Sequence, residues 1–411
     1  MKYEKINKIK KKFLFSCFYT FLVFLNKIFL LTIDKFCIKK NLYLIFLRED
    51  RVGHQGNADT EFFKASKRAK YNNSRTIFIF PYPEYKVANK FLRYKLIEYA
   101  KLEFYKVKVI NYKYVNEYLT DLILYSISVV FKSCNNIYFA HNECGPRLSK
   151  NIFRNLKINN NLYKSLGIKS NNFVCIYARD SKFLESFDKN INFDYHNFRD
   201  SKIDNLKLLS QFISKNLGWD VLRIGSDPRK KISWERSGNS KIIDYSFSGL
   251  RNEKNDVDLL ANCRLFIGNG GPASIAIGAR REMIRINQVP IGTDCGYNYG
   301  LWIPKLHYIN ESEKYLSLIE ICERGLGNVH SGDYFEKSNI ILKENTPEEI
   351  LNIFKDYLKF KKDCFSKNEK LIIKKYQTIR KKIHNKWNIL EYNKNFISPS
   401  FLIKYENLLK D

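Results

Sequence analysis

Two kinds of stretch in this 411-residue sequence carry side chains that could do chemistry: loops holding carboxylates and imidazoles, and loops built to meet an anion. The loop REDRVGHQGNADTEFF at 48–63 brings together Asp50, His54, Asp59 and Glu61, and a second loop at 141–145 holds His141 and Glu143. Such groups take the proton from a hydroxyl as it attacks, provided they lie within hydrogen-bond reach. Asp50 and His54 rank ahead of the others for their position beside Gly53. The anion-binding candidate is RLFIGNGGPASIAIG at 264–278, a buried strand running into Gly268, Asn269, Gly270 and Gly271, then a helix entered through Pro272, Ala273 and Ser274. Glycines let backbone approach a ligand closely, and the first amides of a helix have no partner within it, so a phosphate or diphosphate suits this place.

Other polar residues fall at the ends of neighbouring strand-like runs. Arg179, Ser181 and Lys182 follow one. Arg223, Gly225, Ser226 and Asp227 close the next, and Asp244 and Tyr245 a third. Arginine binds phosphate oxygens in pairs through its planar fork, while Asp244 and Tyr245 could meet a base or ribose. Asp256-Val257-Asp258 has the spacing of a metal-binding D-x-D, but it opens a helix, where Asn255 and both aspartates are expected to satisfy amides and the dipole. The six histidines lack ligand spacing, so no metal and no other cofactor is expected.

The elements that must position these residues alternate. Strands are expected at 42–47, 76–80, 107–110, 136–140, 173–178, 221–225, 241–244, 265–267 and 283–287, with helices at about 86–100, 114–130, 147–166, 201–217 (Ser201 as cap) and 255–263. Alternation of this kind predicts βαβ units and parallel sheets, whose ligands sit at the carboxyl ends of the strands. Thr346-Pro347-Glu348-Glu349 starts a further helix, and the run 359–386 is strongly basic. The expected division is an apolar N-terminal helix in 1–40, Rossmann-like domains at 41–168 and 169–345, and basic helices at 346–411.

Within the first segment, 13–33 is long and apolar enough to span a membrane. On a helical wheel, however, Ser16, Thr20, Lys27 and Asp34 share one stripe, and lysines flank the run on both sides. That favours a helix lying in the membrane interface with this polar edge toward water, on the cytoplasmic face of the inner membrane, over a single span. Lys and Arg number 71 against 42 Asp and Glu, a formal charge of +29 that suggests an anionic partner. The basic C-terminal run would add attraction to anionic lipid, whereas no DNA- or RNA-binding module accompanies the charge, so no nucleic acid is expected. The nine cysteines form no C-x-x-C pair, which suits a reducing compartment.

The blocks FVCIYARDS (173–181), YHNFRDSKIDN (195–205), VLRIGSD (221–227), IIDYSFSGLRNEKNDVDLLANCRLFIGNGGPASIAIGARR (242–281) and NTPEEI (345–350), in this order, resemble a family of bacterial glycosyltransferases linked to surface polysaccharides. The loop after the first strand is similar in placement to that of lipopolysaccharide heptosyltransferases. The resemblance implies a GT-B fold, two Rossmann-like domains facing across a cleft. It also implies a nucleotide-sugar donor held by the second domain, a glycan or lipid-linked acceptor, and a base from the first domain if the reaction inverts. A nucleotide-sugar epimerase or hydrolase on the same architecture, or a non-catalytic glycan- or nucleotide-binding protein, are the alternatives.

Overall fold

The computed structural model describes residues 20–21, 24–25, 27–104, 106–109, 134–140, 150–169, 172–182, 185, 194–226, 228–235, 240–293, 300–387 and 395–410. The chain separates into two compact units, Met1–Asn142 and Glu143–Asp411. Both are mixed α/β with parallel sheets.

In the first unit, β1 (Leu42–Phe46), β2 (Arg75–Phe80), β3 (Lys106–Val109) and β4 (Ile137–Phe139) form a parallel sheet in the order β3-β2-β1-β4. Residues 27–39 are helical and pack Leu30, Ile33 and Cys37 onto Phe46, Ile79 and Ile137. Asp34 lies on this inward face, against expectation. Its carboxylate accepts the amides of Asn135 (2.9 Å), Asn136 (2.7 Å) and Ile137 (3.1 Å), which is why an acid occupies a buried position. Among the described residues no helix is long and apolar enough to cross a membrane; part of the apolar run 13–33 lies outside them.

The expected loop 48–63 is largely helix, Val52–Gly56 followed by Ala58–Asn72. Asp59, Thr60 and Glu61 are buried on the helix's inner side beside Phe62, so the apolar periodicity that betrays a helix is missing there. The expected helix at 114–130 lies outside the described residues.

The second unit is built on a seven-stranded parallel sheet. Its strands are β5 (Phe173–Tyr177), β6 (Asp220–Arg223), β7 (Ile242–Asp244), β8 (Leu265–Gly268), β9 (Glu282–Gln288), β10 (Gly300–Pro304) and, after the small antiparallel sheet of β11 (Leu306–Ile309), β12 (Lys314–Tyr315) and β13 (Ile340–Lys343), β14 (Phe396–Ile397). The order is β14-β10-β9-β8-β5-β6-β7, with every pair parallel. Continuous apolar runs such as FVCIY and LFIG fit strands covered on both faces. Chain order runs outward from β5 through β6 to β7, then restarts at β8 on its other side. That reversal is a topological switch point, where open α/β sheets hold ligands.

Segment 150–168, placed before the expected junction, belongs to this unit: the Ile152 amide bonds Gly278, and the Tyr163 hydroxyl donates to Asp258 at 2.8 Å. Only Asn160–Leu166 of it is helical, because Asn159 caps it by accepting the Leu162 amide. Ser201 is not a cap either. Its own amide bonds the Arg179 carbonyl, a 3-10 turn Ile203–Leu206 follows, and the helix runs Lys207–Leu217 to Gly218. At Pro347–Lys361 the start is as read, with Thr346 and Glu349 closing a reciprocal capping box. This helix and Lys367–Trp387 turn Ile350, Ile353, Phe354, Ile372, Tyr376 and Ile379 into the unit's core and leave their lysines outside.

Candidate active site

In the first unit the candidate proton-transfer groups lie just past β1, beside β4, at the corresponding switch point of that sheet. Asp50 Oδ1 and His54 Nδ1 are 2.7 Å apart, one helical turn separating them, and Arg48 donates to Asp50 Oδ2 at 2.9 Å. Burial would raise the Asp50 carboxyl, but the hydrogen bond and charge of His54, with Arg48, hold it well below the usual carboxylate range. Burial also lowers the His54 pKa, against the pull of Asp50. The imidazole is therefore neutral at physiological pH, and a carboxylate at Nδ1 fixes the tautomer that leaves Nε2 to accept a proton.

Around this dyad lies a buried polar network that the sequence did not single out. Glu49, 1 % exposed, meets Arg93 Nε at 3.1 Å, and burial pushes its carboxyl up to about 7 despite that cation. Of the other proton-transfer candidates, Glu61 accepts from the Tyr138 hydroxyl at 2.7 Å and pairs with Lys64, which ties the Ala58–Asn72 helix to β4. Asp59 is fully buried on the same helix. His141 and Glu143 lie outside the described residues.

In the second unit the loops leaving β5 and β8 flank the switch point. Tyr177 ends β5, and its ring stands between two glycines: a Cβ on Gly225 would lie 3.3 Å from one ring edge, and one on Gly270 would lie 3.4 Å from the other. The para hydroxyl is thereby placed between the loops that follow β6 and β8. Burial raises the phenol's pKa, with the charge of Asp180 adding to it and those of Arg179, Arg223 and Arg199 opposing it. Gly268 has no room for a side chain, since a Cβ would strike the Tyr177 carbonyl oxygen, and Gly270 turns the loop at φ 79°.

Arg179 reaches the Asp200 carboxylate and the His196 carbonyl. Lys305, 4 % exposed, donates to the Phe198 carbonyl at 3.0 Å and the Asp200 carbonyl at 2.5 Å, and burial lowers its pKa to about 8. Asn269 donates to the Arg199 carbonyl at 3.4 Å, while its buried Oδ1 has no hydrogen-bond partner among the described residues. The 196–200 segment is thus pinned from three sides beside the glycine loop.

Other sequence candidates have structural partners. Arg223 and Asp244 form a buried ion pair at 3.0 Å, and Asp244 also accepts the Ile232 amide. Tyr245 is fully buried and donates to Asp256. Arg251 links Ser226 to Asp256. Ser181 accepts from Arg229, and the Lys182 amide donates to the Asp180 carboxylate at 3.0 Å. Asp227 lies outside the described residues. The helix after the glycine loop is only Ala273–Gly278, with Pro272 as its cap; the Ala273 and Ser274 amides already bond Gly270 and Gly271, and the Ser274 hydroxyl bonds Gly271. A diphosphate here would meet the loop backbone and the β5 residues, not a helix terminus.

The D-x-D carboxylates are both engaged. Asp256 holds Tyr245 and Arg251, while Asp258 holds the Asn159 amide, the Tyr163 hydroxyl and Asn262. The cap of that helix is Asn252, accepting the Asn255 amide, rather than the residues expected.

Against protein-family models the chain has no match, and against curated proteins it has none. Solved structures similar to it include a family 9 glycosyl transferase from Veillonella parvula (10 % identity, 77 % of this chain and 97 % of that one, TM-score 0.42). They also include the ADP-heptose lipopolysaccharide heptosyltransferase II of E. coli (12 % identity, 78 % and 99 %, TM-score 0.37). A third is the dodecameric iron-containing heptosyltransferase TibC in complex with ADP-D-beta-D-heptose (13 % identity, TM-score 0.31), of which this chain spans 60 % and by which 62 % of this chain is covered.

Proposed function

We propose that this protein is a glycosyltransferase that moves a sugar from a nucleoside-diphosphate donor to a hydroxyl of a growing surface glycan or lipid-linked acceptor, with inversion at the anomeric carbon. The observation that carries the reading is the meeting of Tyr177, Arg179 and the 268–271 loop at the switch point of the seven-stranded sheet. When the bond between anomeric carbon and diphosphate breaks, the leaving phosphate gains charge, and preorganised donors aimed at that charge lower the barrier. The Tyr177 hydroxyl and Arg179 would supply such donors. His54 Nε2 would take the proton of the attacking hydroxyl while Asp50 stabilises the imidazolium that forms. Because Asp256 and Asp258 are bonded to protein groups, cationic side chains rather than a D-x-D-bound metal are assigned the charge.

Thermal unfolding of the full chain with ADP, GDP, UDP and their sugars tests the donor half. One of them should raise the transition, and Arg179→Ala should weaken that shift. A flat response to every nucleoside diphosphate would defeat the proposal. Release of free sugar without an acceptor, at the rate seen with one, would favour a hydrolase instead.

A further inference from the structure

Asp34 decides which way the first helix faces. With Asp34 turned inward on three amides of the β4 region, Leu30, Ile33 and Cys37 follow it onto the sheet, and the opposite side of the helix points to solvent. That side is not the polar edge expected from the wheel. It carries Phe21, Phe24, Leu25, Ile28, Phe29 and Phe36, with Phe29 62 % and Phe36 54 % exposed. Lone exposed apolar residues are ordinary, but six on one side of the first helical segment call for an occupant.

We infer that this face lies in the interface of an anionic lipid bilayer, with the helix axis in the membrane plane. Charge identifies the occupant. Lys27, Lys35, Lys39 and Lys40 are all exposed on or beside the patch, and Asp34, the one acid between residues 20 and 41, is buried. A protein partner would have to neutralise four lysines around an aromatic centre. Anionic headgroups do so while the acyl boundary takes the phenylalanines, and lysine stems reach up to the phosphate level. In sequence the apolar run continues upstream, from Phe13 to Tyr19. A buried carboxylate thus acts as the rotational lock that fixes which residues meet lipid.

The test is flotation of the full chain with vesicles of phosphatidylcholine alone or mixed with phosphatidylglycerol. Binding should require phosphatidylglycerol and fall with salt. The double substitution Phe29→Glu/Phe36→Glu should cut partitioning by about a hundredfold, since each buried phenylalanine contributes roughly a tenfold factor or more. Its melting curve should stay unchanged, because both side chains are already exposed. Substituting Lys35→Glu/Lys39→Glu should cost about thirtyfold on anionic vesicles only. Wild-type flotation by the phenylalanine variant would overturn the inference. So would a chain that ignores vesicles and forms a dimer which the variant splits. Nucleotide binding by the second unit is unaffected either way, so this result and that of the proposed function are separable.

Discussion

His54 and Asp50 form a base of the kind whose performance depends on tautomer, not only on proximity. Asn at position 50 could still bond the ring but would favour the wrong tautomer. Asp50→Asn should therefore lower kcat by about 10²–10⁴-fold with KM little changed, read from steady-state sugar transfer. The pH profile carries a sign. Since burial lowers the folded His54 pKa, the rate should stay flat near neutrality and fall only as pH drops below the histidine's usual value of about 6.5. The same shift means the unfolded chain takes up a proton first, so stability from this site is present above about pH 6.5 and is lost on acidification. Urea denaturation across that range checks it, and a rate that collapses above neutrality would contradict a His54 base. Tyr177→Phe removes a hydroxyl and leaves the ring between its glycines. Donor affinity should fall about tenfold, as for a hydrogen bond to a charged group, with the melting temperature of the free protein unchanged. Unaltered donor affinity in calorimetric titration would remove Tyr177 from the site.

At the scale of elements, what the sequence made legible was whatever repeats locally. Runs such as LYLIF, FVCIY and LFIG announce buried strands within a residue or two of their ends, and Thr346 with Glu349 announces a helix start. The glycine loop was legible for the same reason, its residues being adjacent. What depends on a distant partner was not. The Ala58–Asn72 helix hides because its inner side carries Asp59, Thr60 and Glu61, the last of which bonds Tyr138, far along the chain. Tyr177 reads as one more strand residue until Gly225 and Gly270 arrive on either side of it. Asp34 looked like part of a wet edge because its partners, the amides of 135–137, are a hundred residues away only in sequence. Its replacement gives an element-scale test. Asp34→Ala leaves the buried amides of Asn136 and Ile137 without an acceptor and should cost about 3 kcal/mol, enough to loosen the 27–39 helix from the sheet. Hydrogen exchange at Asn136 and Ile137 should speed up accordingly. Protection equal to wild type there would show the carboxylate to be dispensable.

Across the whole molecule, the two units have separate cores. One centres on Leu30, Phe46, Ile79 and Ile137, the other on residues such as Trp302, Phe354 and Tyr376. Each core excludes water on its own account, which favours two unfolding transitions in calorimetry rather than one. The assignment of chemistry to units then becomes measurable. A nucleoside diphosphate at a hundred times its dissociation constant stabilises whatever binds it by about 2.7 kcal/mol, and should raise only the transition of the second unit. Asp34→Ala should lower only that of the first. If instead one peak answers to both perturbations, the units unfold as one, and ligand stabilisation could no longer locate the donor on the seven-stranded sheet. If the ligand raises the transition that Asp34→Ala lowers, while the other stays still, the donor sits on the four-stranded sheet and the roles proposed for Arg179 and His54 must be exchanged.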